Sequence, residues 1–177
     1  MPVSYLWHSY HSAETNPVYL VSNVGSQYFD VSVSTHEAVK CEMPGYSGTP
    51  LTQKLGIKPG LSVVTINAPT NYRRLLGIIP EGATFSDRLK SDSDFVHVFT
   101  KKSSELEKTL SVLREKIADT GTVWVSWPKK SSGVPADVTE DVVRAVALPL
   151  GFVDVKVCAI DETWSGLKLM IRRENRK

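Results

Sequence analysis

The sequence predicts a three-layer α/β fold whose mostly parallel sheet ends in an antiparallel hairpin. Three observations lead there. Short apolar runs rich in β-branched residues alternate with segments whose apolar residues recur every three or four positions. The connections are short, and strand–helix alternation at that spacing implies right-handed crossovers and parallel pairing. The strands carry few internal charges, as expected of a sheet covered on both faces.

The pattern becomes legible at Thr49, which can cap a helix with Pro50 in its first position and Gly56 just past its end. Pro59–Gly60 is a turn, and Leu61–Asn67 reads as the first core strand. Thr70 or Asn71 can cap a short helix over Tyr72–Leu76. Residues 80–93 are polar and give no assignment. Phe95–Thr100 is a second strand. Ser104 and Glu107 have capping-box spacing, and Leu106, Leu110, Leu113 and Ile117 form one apolar stripe on the helix that follows. Gly121 is expected to close that helix before a third strand, Thr122–Trp127. Asp137 and Glu140 offer another capping box. Val138, Val142 and Val146 mark a stripe, and Pro149–Gly151 end the helix. Phe152–Ile160 is a fourth strand. Asp161–Gly166 is a turn into Leu167–Ile171, close enough to pair antiparallel.

Residues 1–42 are unlike the rest and are expected to be a separate extension, with the domain over 43–177. The extension holds four acids (Glu14, Asp30, Glu37, Glu42) and one base, Lys40. It is read as a hairpin around Gly25–Ser26, as a poorly ordered segment, or as sequence upstream of a true start at Met43. The domain keeps all but one of the 21 Lys and Arg against all but four of the 19 Asp and Glu, so it is modestly basic. The composition, 41% hydrophobic and 23% charged, is that of a globular protein. No apolar run reaches the roughly 20 residues of a membrane helix, and no secretory signal is visible, so the cytoplasm is expected. Cys41 and Cys158 are too few and too far apart for a disulfide framework or a cysteine metal site. His8 and His11 alone are a weak metal signal, and no metal is expected.

Two resemblances follow. Lys54-Leu-Gly-Ile-Lys-Pro-Gly-Leu-Ser-Val-Val-Thr-Ile-Asn67 resembles the approach to the first strand of class I methyltransferases. The later order of elements resembles a truncated version of that Rossmann-like fold. Gly45-Tyr-Ser-Gly-Thr-Pro-Leu51, Trp124-Val-Ser-Trp-Pro-Lys-Lys-Ser-Ser-Gly133 and Asp154-Val-Lys-Val-Cys-Ala-Ile-Asp-Glu-Thr-Trp-Ser-Gly-Leu-Lys168 resemble the bacterial domain-of-unknown-function family 3052. That resemblance spans the chain from Met43 onward and implies a fold, not an activity. The methyltransferase pattern itself is incomplete. Its first strand ends in a glycine-rich turn, whereas here the turn is Asn67-Ala68-Pro69-Thr70-Asn71, and Pro69 lacks a backbone donor. No acid-bearing second strand is recognisable after it. Conventional S-adenosylmethionine and NAD motifs are therefore absent from the sequence, and no conventional binding of either cofactor is expected.

Ligands of open parallel sheets bind at the carboxyl ends of the strands. This rule gathers Asn67, Asn71 and Arg73 after the first strand, and Trp127, Lys129, Lys130 and Ser131 after the third. Asp161, Glu162 and Trp164 follow the fourth. The lysines and hydroxyls of Lys129–Gly133 can hold a phosphate or carboxylate, although a solvated loop is the commoner fate of such a segment. Asp161 and Glu162 are the candidate acid and base, weighed against a plain turn. Trp127 and Trp164 can wall a pocket or simply pack. His97 lies inside a strand and Cys158 mid-strand, so both read as core residues.

The sequence favours a non-catalytic or regulatory binding module for a small anionic ligand or a protein partner. An atypical methyltransferase-like transferase is the alternative. Nucleic-acid binding ranks third because the net charge is only +2. No membrane partner is expected. A homodimer is considered because the first strand could lie at a sheet edge.

Overall fold

A computed structural model describes residues 48–176. The hairpin expected around Gly25–Ser26, the His8–His11 pair, Cys41 and Met43 lie outside the described residues.

The elements run α1 (Leu51–Leu55), β1 (Ser62–Ile66), α2 (Tyr72–Leu76), β2 (Thr84–Ser86), β3 (Ser93–Phe99), α3 (Ser103–Lys116), β4 (Ile117–Pro128), α4 (Glu140–Ala147), β5 (Phe152–Ala159) and β6 (Trp164–Ile171). They build one six-stranded sheet in the order β2-β1-β3-β4-β6-β5. β2, β1, β3 and β4 are mutually parallel, and β6 runs antiparallel to both β4 and β5. The expected sheet is therefore present, with one strand more than the sequence revealed. β2 sits outside β1, so the first strand is not an edge, and the dimer argument drawn from that edge falls away.

Register explains the two cores. Val64, Val96, Val123 and Leu169 lie side by side across four strands and face α3 and α4. On that side Leu106, Leu110 and Leu113 of α3 and Val143 and Ala147 of α4 are fully buried. Thr65, His97, Trp124 and Lys168 form the matching row on the other face, which α1 and α2 cover through Leu55, Tyr72 and Leu76. Helices on both faces give the three layers.

Several local expectations are corrected. α1 begins one residue late, with Pro50 in the cap position in place of Thr49, while Gly56 closes it at φ 83. Ser104 does not cap α3, because the helix has already begun at Ser103. That first turn is held instead by Asp137. One carboxylate oxygen accepts the Ser103 amide at 2.6 Å and the other the Ser103 hydroxyl at 3.1 Å. Asp137 is thus unavailable to α4, whose cap is Thr139, accepting from the Val142 amide at 3.3 Å. The inward face of α4 is Val143 and Ala147. Val142 and Val146 are only partly buried, and Val138 precedes the helix. Gly121 does not end α3 but lies inside β4, where a Cβ would stand 2.7 Å from Ile117 Cγ1 and 2.9 Å from the Ala118 oxygen. Among the described residues, no helix is long and apolar enough to cross a membrane.

Candidate functional site

The strand order reverses direction at β1: the chain moves outward to β2, then returns to place β3 on the other side. Such a switch leaves a crevice outside the carboxyl ends of the two central strands. Here those ends are Ile66 and Phe99.

Asn67, the first residue after β1, is exposed and has φ 54. That left-handed conformation usually requires glycine, and asparagine is among the few other residues that adopt it. The turn is glycine-free, as its sequence states, yet its backbone does what a glycine would do. The second expected absence is corrected outright. β2 pairs parallel with β1 through Ser62–Thr84, Val63–Phe85 and Val64–Ser86, completing a β1–α2–β2 unit. Asp87 follows directly and is exposed. An acid about twenty residues beyond the first turn is where Rossmann-type folds bind ribose hydroxyls. Thr100 to Ser103 complete the crevice after β3. The Thr100 hydroxyl donates to the Lys102 carbonyl at 3.2 Å, and Lys101 and Lys102 are exposed.

The other residues expected at the site spread along the rim and over both faces. Asn71 sits at the start of α2 but makes no side-chain capping bond. Arg73 stacks its guanidinium over Phe85 of β2, 4.7 Å from the ring centre. Trp127 is buried on the α3–α4 side. Trp164 lies on the α1–α2 side, edge-on to Phe99 at 5.1 Å, so the two indoles do not wall one pocket. Lys129 Nζ donates to the Asp161 carbonyl at 2.6 Å, tying the loop after β4 to the β5–β6 turn. Asp161 Oδ1 accepts the amides of Thr163 and Trp164 at 2.8 and 2.6 Å. Its carboxylate organises that turn. Lys130, Ser131 and Glu162 are exposed. With strands about 4.8 Å apart, β6 stands roughly 14 Å along the rim from β1.

A polar chain that the sequence did not reveal crosses the α1–α2 core. Tyr72 Oη and His97 Nδ1 are 2.8 Å apart, as are His97 Nε2 and Ser126 Oγ. His97 is completely buried and stacks on Phe99 with centroids 4.4 Å apart. Burial pushes its pKa down to about 3, so the ring is neutral and one nitrogen donates while the other accepts. Burial likewise raises the Tyr72 hydroxyl well above its ordinary value. The only early signal was a histidine in an otherwise apolar run, since its partners lie far away in sequence.

A cavity of about 140 Å3 opens between β1, β2 and the start of β3, lined by Ser62, Ser86, Arg88 and Asp92 among others. It is smaller than a nucleoside site usually is and lies toward the amino ends of β1 and β3, touching the end of β2 only through Ser86 and Arg88. Among the described residues, no group of three or more His, Cys, Asp and Glu side chains is placed to hold a metal ion.

No family model matches the chain, so the resemblance to family 3052 rests on the quoted residues alone. No curated protein matches it either. Solved structures do. A S-adenosylmethionine-dependent methyltransferase from Aquifex aeolicus superposes with a TM-score of 0.51 at 15% identity, over 69% of this chain and 88% of that one. A ribosomal protein L11 methylase from Lactobacillus delbrueckii subsp. bulgaricus gives 0.46 at 11% identity, over 70% and 76%. The described domain therefore has a methyltransferase-like Rossmann fold: a six-stranded, mostly parallel sheet with a terminal antiparallel hairpin.

Proposed function

We propose that the domain is an atypical methyltransferase-like transferase that binds S-adenosylmethionine in the crevice at the carboxyl ends of β1 and β3. The observation that carries this reading is the pairing of a left-handed Asn67 with Asp87 at the end of a parallel β2. These residues fit the nucleoside half of the cofactor. The Asn67 turn lets the backbone approach it, and the Asp87 carboxylate can accept both ribose hydroxyls. Pro69 withholds one backbone donor, which makes the site atypical. When bound, the cofactor supplies an activated methyl group. Lys101 and Lys102 at the mouth of the crevice favour an anionic acceptor.

Calorimetry with S-adenosylhomocysteine on the full chain tests the reading. Asp87→Asn should weaken binding by about 10- to 100-fold, the worth of hydrogen bonds to a charged group. It should leave the fold intact, because Asp87 is exposed. An unchanged affinity would remove Asp87 from the site, and no binding by the native chain would end the proposal.

One observation favours a second reading, a binding module without chemistry. The Asp161 carboxylate, expected to serve as acid or base, is engaged by two turn amides. Cofactor binding without transfer to any acceptor would support that version.

A further inference from the structure

The row Thr65, His97, Trp124 on the α1–α2 face continues into Lys168 of β6 and then Lys156 of β5. The two lysines are directly opposed in register, an arrangement that disfavours pairing of the strands. α1 covers Trp124, whose Nε1 donates to the Leu55 carbonyl at 2.9 Å, and ends there. At that margin Lys156 Nζ donates to the Lys54 carbonyl at 3.3 Å. Lys58, just beyond α1, adds its charge beside Lys168. Asp154, the nearest carboxylate along β5, lies opposite Leu169 on the other face and pairs with Arg144 at 2.9 Å. Among the described residues, no ion pair joins Lys58, Lys156 or Lys168 to a carboxylate. Partial burial, together with Lys156 and Lys58, lowers the Lys168 pKa below its ordinary value.

We propose that Lys58, Lys156 and Lys168 form a binding site for a phosphate-bearing anion of more than one negative charge. Opposed Cβ atoms stand roughly 4.5–5.5 Å apart, so two flexible ammonium stems can converge on a single phosphate group. The anion supplies a counter-charge that no carboxylate among the described residues provides to these three lysines, and relieves the repulsion. The site lies mid-strand on the hairpin, away from the rim crevice, and does not depend on the cofactor reading. A free oligophosphate and the backbone of a nucleic acid share the required chemistry.

Thermal unfolding of the full chain at low salt tests this, with sodium tripolyphosphate, a single-stranded oligonucleotide, and sulfate at matched ionic strength. Tripolyphosphate or the oligonucleotide should raise the melting temperature by a few degrees, and the more effective one identifies the source of the phosphate. Lys156→Gln with Lys168→Gln should abolish the rise, while Lys130→Gln on the rim should retain it. The ligand-free double variant should melt no lower than the native chain, because repulsion has been removed. If it melts lower, Lys156→Gln alone, at an exposed position, should still weaken affinity by about tenfold, the loss of roughly one charge-assisted contact. No rise with either phosphate ligand, an equal rise in the double variant, or an equal rise with sulfate would overturn the proposal.

Discussion

Trp124→Ala is expected to destabilise the domain by about 3–5 kcal/mol, the range for deleting a large buried ring. Trp124 has no exposed surface and stands at the centre of the α1–α2 face, between His97 of β3 and Lys168 of β6. Its indole also donates to the Leu55 carbonyl, the last residue of α1. α1 is a single turn and cannot persist alone, so its position depends on contacts of this kind. The melting temperature should fall by roughly 10–20 °C for a domain of this size. Trp124→Phe separates the two contributions. It keeps most of the apolar contact, leaves the Leu55 carbonyl without its donor, and should remove about 1–3 kcal/mol. Urea unfolding of the three proteins measures both. A Phe variant as stable as the native chain would show that the Leu55 bond does not hold α1.

Acidification should expose His97. Its folded pKa lies at about 3, against 6.5 in an unfolded chain. Between those values the proton binds only to the unfolded state. The contribution of the neutral ring to stability is therefore complete above pH 6.5 and is lost as the pH falls from there toward 3. The slope is about 1.4 kcal/mol per pH unit. The neighbours that contact the ring, Tyr72, Phe99, Trp124 and Ser126, are uncharged and cannot compensate. His97→Gln should lower stability near neutral pH yet flatten the acid limb. The measured quantity is the gap between the two proteins' unfolding free energies from about pH 7 to about pH 4. A narrowing gap supports the buried neutral ring, and parallel curves would contradict it.

The central strands were legible because both faces of the sheet are covered. β1 and β3 read as short β-branched runs, and α2 keeps the expected bounds. The expected α3 starts within two residues of the helix but runs past its end at Lys116 to Gly121, whereas Ile117 opens β4 instead. β2 was not legible. It has three residues, one partner strand, and polar Thr84 and Ser86 at its ends, so neither period nor composition marks it. Missing β2 also hid Asp87 and suggested a false edge at β1. The caps were misread for a different reason. Ser104–Glu107 has the right spacing, but the competing cap, Asp137, is 34 residues away and is brought near only by the fold. The displaced α4 stripe follows from that error, because Val138 lies before the true start at Glu140. Asn67 carried a usable signal, being the residue type that replaces glycine at positive φ, but only the backbone shows that it does so. The tryptophans could not be placed by spacing alone. Trp127 and Trp164 sit near one rim yet on opposite faces of the sheet.

The cofactor crevice is tested most directly by titrating the isotope-labelled full chain with S-adenosylhomocysteine and following backbone amide resonances. Binding at the switch point predicts shifts gathered at Asn67, Ala68 and Thr70, at Asp87 and Arg88, and at Thr100 to Lys102. Resonances of β5 and β6 around Lys156 and Lys168 should stay in place. Shifts confined to the hairpin, or none at saturating ligand, would contradict the assignment of the crevice as an S-adenosylmethionine site.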